Sequence, residues 1–291
     1  MIVSYEESVH WLRSQQEYSE LVIDAYLDRD NISACTRFLQ SAEFLESMRL
    51  LGVADGGGST VIDLGAGNGI ASIAFAKRGL TVTAVEPNES ADVGAGAIRR
   101  AASSLGLSIE VLTAVGEQFP CASCQFDAAY CRQVLHHASD LGQMVKEVYR
   151  VLKPGGRFLA VREHVVDDEE QLQAFLNAHP LHHLHGGENA YSESVYLRTF
   201  EDAGFVVRDV LTRWSSVICS FPQPVSLTHE RMIAYYRQRL GAFRSLAALV
   251  ARVPVIQRRF AQAMAASDKL PGRLYGFLCM KPHSSQGAVA Q

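Results

Sequence analysis

The chain lacks any hydrophobic run approaching the roughly 18 residues that a membrane helix needs. Its most apolar late stretch, 240–256, is broken by Arg244 and Arg252. The start, MIVSYEESVHW, has no basic segment followed by an apolar one, so no secretory signal is expected and the protein is expected to be cytoplasmic. Cysteine is scarce: six in 291 residues exclude a disulfide framework. Cys121 and Cys124 form a CxxC with no second CxxC to complete a structural zinc site, so the pair reads as two loop thiols. Neither sign of charge dominates. A net charge of −4, with 48% hydrophobic and 20% charged residues, excludes a wholly disordered, collagen-like or coiled-coil chain.

What is present is ordered in two styles. Ser4 with Glu7 fits a capping box opening a helix to about Gln15, and a helical period continues through Leu21, Val22, Ala25, Phe38, Leu39, Phe44, Leu45, Met48 and Leu51 to Gly52. The Gly-rich ADGGGS at 54–59 then acts as a hinge. From Thr60, short apolar runs (60–64, 81–86, 108–113, 126–131 and 156–162) alternate with helical stretches at 70–78, 91–105 and 140–152. Buried strands separated by helices of that length imply βαβ units around a parallel sheet, an α/β fold.

After Arg162 the alternation loosens. Helical 169–178 leads into a His-rich loop, 193–203 reads as a helix stopped by Gly204, and 205–212 as a strand. A largely helical insertion, 228–267, precedes a last strand at 273–280, and the small polar tail from Pro282 is expected to be disordered. The expected organisation is an N-terminal helical segment (1–55), a main domain (56–282) carrying a His-rich acceptor loop (164–192) and a helical insertion (225–268), and a tail (283–291).

The sharpest local signal is VIDLGAGNG, 61–69. A buried strand ends at Asp63, and Gly65, Gly67 and Gly69 let the backbone turn tightly and approach a ligand before a helix begins. Glu86 closes the next strand, where a carboxylate can accept from ribose hydroxyls. Together they mark a nucleoside site. A dinucleotide fingerprint wants a third glycine where Ile70 stands, so that nucleoside is not expected to be NAD.

The G-x-G-x-G behind Asp63 instead resembles motif I of the class I S-adenosylmethionine-dependent methyltransferases. VTAVEP (82–87), QFDAAYCRQVLHHASD (125–140) and EVYRVLKPGGRFLAV (147–161) are similar to successive blocks of the broad family that includes ubiquinone and menaquinone biosynthesis methyltransferases, over about 60–163. The resemblance implies a Rossmann-like seven-stranded sheet, with N-terminal helices and the insertion before the last strand, and S-adenosyl-L-methionine as cofactor. It places Asp63, Gly65 and Gly67 at the methionine and ribose part, Glu86 on the ribose hydroxyls and Arg132 at the methionine end. Members often carry an Asp that accepts from the adenine amino group. Here that position is Val115, which leaves adenine to groups around Gly116 and Glu117 and to apolar walls such as Phe119.

Methyl transfer from a sulfonium mainly needs orientation and exclusion of water, but an alcohol acceptor also needs a general base. Histidines are expected to supply it: His137 after the fourth strand, beside His136, His164 after the fifth, and His183 in HPLHHLHGGENAY, 179–191. Zinc held by His179, His182, His183 and His185 is not expected, because no carboxylate or cysteine falls at a convincing ligand spacing, and no metal is assigned. The insertion carries seven arginines and no lysine across 230–259, with aromatic and aliphatic residues interleaved. It reads either as a solvated surface or as a basic lid over an anionic carboxylate or phosphate acceptor. Contact of 229–262 with a membrane surface is less favoured, and nucleic acid is not expected for a chain of this net charge without a known motif. The reading is O-methylation of a small or medium-sized acceptor such as a sugar, a lipid-linked intermediate or a secondary metabolite. N- or C-methylation and a catalytically idle binding scaffold are the alternatives, and oligomeric state is left open.

Overall fold

The computed structural model describes residues 3–224 and 226–283, so most of the segment read as a tail lies outside the described residues. Seven strands form one sheet: β1 Thr60–Leu64, β2 Thr81–Val85, β3 Ile109–Leu112, β4 Phe126–Arg132, β5 Leu152–Val165, β6 Val206–Thr212 and β7 Arg273–Met280. Their order is β3-β2-β1-β4-β5-β7-β6, with β7 antiparallel to both neighbours. The order reverses between β1 and β4, which opens a crevice at the carboxyl ends of the parallel strands.

Helices cover both faces, as buried parallel strands require. They begin with α1 Tyr5–Ser14, α2 Ser19–Asp24, α3 Asn31–Gln40, α4 Ala42–Leu51, α5 Ile70–Lys77 and α6 Ala95–Ser104. After β4 come α7 Leu141–Val151, α8 Glu169–Ala178, α9 Pro180–Leu184, α10 Glu193–Asp202 and α11 Val217–Ser220. One face packs Phe38 and Phe44 of α3 and α4 against Phe75 and Tyr130, and the other packs α7 and α10 through Val145, Val148 and Phe200 against Phe158. The capping box forms as expected: Ser4 Oγ accepts from the Glu7 N–H at 3.2 Å, and Glu7 Oε2 from the Ser4 N–H at 2.8 Å.

Three boundaries differ from the sequence reading. The helix expected from 91 starts at Ala95, because Asn88 and Ser90 accept from the N–H groups of Ser90, Asp92 and Val93 and hold that stretch in turns. The insertion is broken into α12 Ser226–Arg239, a 3-10 stretch Gly241–Leu246, α13 Ala247–Val250 and α14 Pro254–Ser267, with Gly241 and Pro254 punctuating it. β5 runs past its expected end at 162, so His164 lies within the strand rather than after it. The cause is a bulge: Ala160 pairs with Phe277 and Glu163 with Tyr275, leaving Val161 and Arg162 opposite Gly276. The bulge interrupts the two-residue alternation and lets β5 continue along β7.

Candidate functional site

The glycine loop sits where β1 meets α5. Gly65, Gly67 and Gly69 have φ of +58°, +54° and +85°, a region that side chains rarely adopt. A Cβ on Gly65 would meet Val134 at 2.6 Å, whereas one on Gly67 would point into open space. Glu86 holds the loop's shape, its Oε2 accepting from the Gly67 N–H at 2.7 Å and its Oε1 from the Asn88 N–H at 2.8 Å. Each oxygen keeps a lone pair for a further donor.

Asp63 is buried beneath the loop and accepts from the Ser72 hydroxyl at 2.5 Å. Burial pushes its carboxyl up to about 7, against the pull of the Ser72 hydrogen bonds and with a further push from the charge of Glu86. An acid whose folded pKa is raised takes up protons on folding, so its contribution is intact below about pH 4 and is lost as pH rises toward 7. Asp63→Asn is therefore expected to raise the ligand-free protein's stability over the wild type by about 1–3 kcal/mol at pH 8, with the gap narrowing at pH 5 and closing only near pH 4. Urea denaturation at these pH values checks this, and a gap independent of pH refutes it.

The loop opens onto a cavity of about 440 Å³ whose lining includes Asp63, Gly65, Gly67, Arg132, His136, His137, His164, His179 and Glu188. Tyr5 and Leu12 of α1 line it too. Polar contacts lock these helices over the loop: Asn31 Nδ2 donates to the Asn68 carbonyl at 2.7 Å, Asn68 Nδ2 to the Tyr26 carbonyl at 2.8 Å, and Arg13 and His10 both pair with Asp92.

On the opposite wall the histidines are positioned by their Nδ1 atoms. His136 Nδ1 lies 2.7 Å from Glu163 Oε2, His164 Nδ1 2.9 Å from the Gly272 carbonyl and His137 Nδ1 3.0 Å from the Gly187 carbonyl, which leaves each Nε2 free. Glu163 is fully buried and also accepts from the N–H groups of Val134 and His136. Burial alone would raise its pKa, but the His136 hydrogen bond and charge, with those backbone donors, hold it below the usual value. Burial pulls the His164 pKa well down, helped by the neighbouring His136. Burial and His136 lower that of His137 as well, although 40% of its side chain is exposed.

The structure brings together Asp63, Gly65, Gly67, Arg132, His137 and His164 of the residues expected from sequence. It does not bring in His183, which is exposed with Nε2 2.8 Å from the Asn177 carbonyl. Arg132 is already paired, its Nε donating to the buried Glu43 at 2.8 Å, so it is held against α4 while it borders the cavity. Glu117 caps the start of α7, accepting from the N–H of Ser139 at 2.7 Å and of Asp140 at 3.2 Å. A Cβ on Gly116 would meet Met144 at 2.4 Å, and Phe119 is buried in the core beside α7. None of Glu86, Gly116 and Glu117 lines the cavity, Glu86 acting through the glycine loop it holds, and the exposed Val115 offers no hydrogen-bonding side chain.

Sequence reasoning passed over Glu188. It follows Gly186 and Gly187, whose φ of +75° and +81° turn the chain back so that the carboxylate is buried among the histidines. Among the described residues the arginine-rich insertion contributes nothing to the cavity lining. Phe260 packs with Met232 and Ala251 within the insertion, and Arg231 lies over the Trp214 ring beyond β6. The lid reading is thereby corrected. Replacing the exposed Arg237 and Arg244 by glutamine is expected to change stability by under about 1 kcal/mol and to leave ligand affinity unchanged. A ten-fold loss of affinity in calorimetry would restore the lid.

A family model described as "Methyltransferase domain" matches residues 62–160. Residues 62–160 thus carry a methyltransferase domain. Among curated proteins, the ubiquinone biosynthesis O-methyltransferases of Pseudomonas entomophila (strain L48) and Pseudomonas fluorescens (strain Pf0-1) are 34% and 33% identical to this chain over 102 residues. That stretch is 34% of this chain and 42% of either relative, so the chain matches less than half the length of those proteins. A putative methyltransferase from Bacillus halodurans C-125 shares the fold at 21% identity and a TM-score of 0.53, over 83% of this chain and all of that one. Geranyl diphosphate C-methyltransferase from Streptomyces coelicolor A3(2) shares it at 17% and 0.55, over 95% and 97%. At those identities the likeness concerns the methyltransferase fold alone. Among the described residues no helix is long and apolar enough to cross a membrane.

Proposed function

We propose that this chain is an S-adenosylmethionine-dependent methyltransferase acting on an oxygen of a small or medium-sized acceptor. One observation carries the reading: the glycine loop held by Glu86 and the wall of histidines with free Nε2 atoms face one cavity. The loop fits the cofactor. Gly67 presents bare backbone to open space, Glu86 has lone pairs for ribose hydroxyls, and Asp63 lies below in the same wall. When bound, S-adenosylmethionine supplies an electrophilic methyl group on a sulfonium. The chain's residues do the rest: α1 excludes water, the loop and Glu86 fix one reactant, and His137 Nε2 takes the acceptor's hydroxyl proton. Oxygen is favoured over nitrogen or carbon because an alcohol needs such a proton acceptor. The curated relatives' names point the same way. An anionic acceptor loses its main support, since the arginine-rich insertion lies off the cavity.

The test is calorimetry with S-adenosylmethionine and its demethylated product, followed by a mass-spectrometric screen of hydroxylated acceptors. Each compound is expected to bind at about one per chain, and Glu86→Ala to weaken binding by about ten-fold or more, the loss of at least one charge-assisted hydrogen bond. Failure of both to bind folded protein overturns the proposal. Binding without methylation of any acceptor favours the idle-scaffold alternative.

A further inference from the structure

Glu188 is surrounded by nitrogen in an unusual way. Its Oε2 lies 3.7 Å from His136 Nε2 and 3.8 Å from His137 Nε2, and its Oε1 lies 3.7 Å from His179 Nδ1. These separations are too long for hydrogen bonds. Among the described residues the carboxylate accepts no hydrogen bond, although its side chain is only 4% exposed, and His179 Nδ1 is buried without a partner. Buried polar groups are ordinarily satisfied, so a cluster of such groups aimed at one point lacks the species that would satisfy it. A ring nitrogen of each of His136 and His164 and a Glu188 oxygen all lie within 4.8 Å of one another, a compass one cation can bridge. Bonds of about 2.0–2.2 Å to tetrahedrally arranged nitrogen and oxygen ligands put those ligands roughly 3.3–3.6 Å apart.

We propose that His136 Nε2, His164 Nε2 and Glu188 bind a divalent first-row transition cation of the zinc or iron(II) class, with His179 beside the site. The surrounding hydrogen bonds are an independent observation in its favour. A ligating imidazole generally gives its other nitrogen to a carboxylate or carbonyl, which fixes the ring and raises its basicity. Here His136 gives Nδ1 to the buried Glu163 and His164 gives Nδ1 to the Gly272 carbonyl. Two imidazoles and one carboxylate suit zinc and iron(II) better than magnesium or calcium, which prefer oxygen. Three protein ligands leave a coordination position for an exogenous oxygen. All three line the cavity that the glycine loop also lines. Resting on the methyltransferase reading, this makes the acceptor oxygen the natural occupant of that position and the cation a Lewis acid that orients it and lowers its pKa.

The binding itself is tested without cofactor or acceptor. Full-length protein, free of any polyhistidine tag and stripped with chelator, is titrated with Co²⁺ and then with Zn²⁺. The expected result is about one Co²⁺ per chain, with visible d–d bands that Zn²⁺ abolishes by displacement. Glu188→Gln and His164→Ala are each expected to weaken binding at least 100-fold. Glu163→Gln, acting through His136, is expected to weaken it by about 10- to 100-fold. His183→Ala, on the exposed face of the loop, should leave it unchanged. Circular dichroism and calorimetry with S-adenosylmethionine show which variants remain folded. Should a ligand variant fail to fold, the wild-type stoichiometry and the Glu163→Gln shift still decide. No d–d bands in the wild type, or equal affinity in folded Glu188→Gln and wild-type protein, overturns the site. Intact cobalt binding without cofactor binding would overturn the proposed function and leave the metal site standing.

Discussion

His137→Ala is expected to lower turnover by about 10²- to 10⁴-fold at saturating cofactor while leaving cofactor affinity within a factor of about two. The expectation rests on position. Its Nδ1 is committed to the Gly187 carbonyl, its Nε2 faces the cavity, and it is the most exposed of the three cavity histidines whose Nε2 is free. His136 and His164 are closed in by Glu163, Phe175 and one another, and the proposed cation uses their free nitrogens. The measurement is initial rate against acceptor concentration for wild type, His137→Ala and His137→Gln. A loss confined to KM would make His137 a binding group. Unchanged kcat would assign the proton to solvent, released from an acceptor oxygen that the cation acidifies.

Gly67→Val is expected to abolish measurable S-adenosylmethionine binding, a loss of about 100-fold or more, in a protein that still folds. The new side chain meets no protein atom within 4 Å, so the chain bears only the strain of φ +54°, about 1–2 kcal/mol. The same side chain occupies the open space the cofactor requires. Gly65→Val is the contrasting case: its Cβ would strike Val134 at 2.6 Å, and it should fail by destabilising the fold. Thermal melts beside calorimetry separate the two outcomes. Normal binding by folded Gly67→Val would remove the cofactor from this loop.

The glycine loop and most of the sheet were legible in sequence because their signals are local. Gly65, Gly67 and Gly69 mark a turn, Asp63 and Glu86 mark strand ends, and the apolar runs mark buried strands. The histidine wall was legible in part. His137 and His164 could be placed from their neighbouring strands, but His183 was chosen from a loop whose side-chain directions depend on the short helix α9, and that helix turns it outward. Ligand spacing along one loop discloses no metal site. The observed cluster takes His136 from the segment after β4, His164 from β5 and Glu188 from the His-rich loop, and no single window of sequence contains that pattern. Period alone is also a poor guide past the expected end of β5. Strict alternation would set His164 on the face of Phe158 and Ala160, whereas the bulge turns it to the other face, with Leu159 and Val161. The charge of the insertion suits a solvated surface and a lid alike, because charge does not disclose which side of the sheet an excursion folds over.

Arg162, in that bulge, holds φ +60° with a full side chain, a conformation that costs on the order of 1–2 kcal/mol. Its guanidinium is anchored elsewhere: Nη1 donates to the carbonyls of Ile218 at 3.2 Å and Phe221 at 2.9 Å, over whose ring it also lies. The short helix Val217–Ser220 and Phe221 after it are thus tied to the strand that carries Glu163 and His164. Evolution therefore has a way to retune this wall without touching it. Substitutions that move the carbonyls of residues 218 and 221, which do not line the cavity, would let the strand relax and shift two of its polar groups together. Natural variation in which molecule such an enzyme accepts should accordingly be sought in residues 217–221 as well as among the residues that face the ligand.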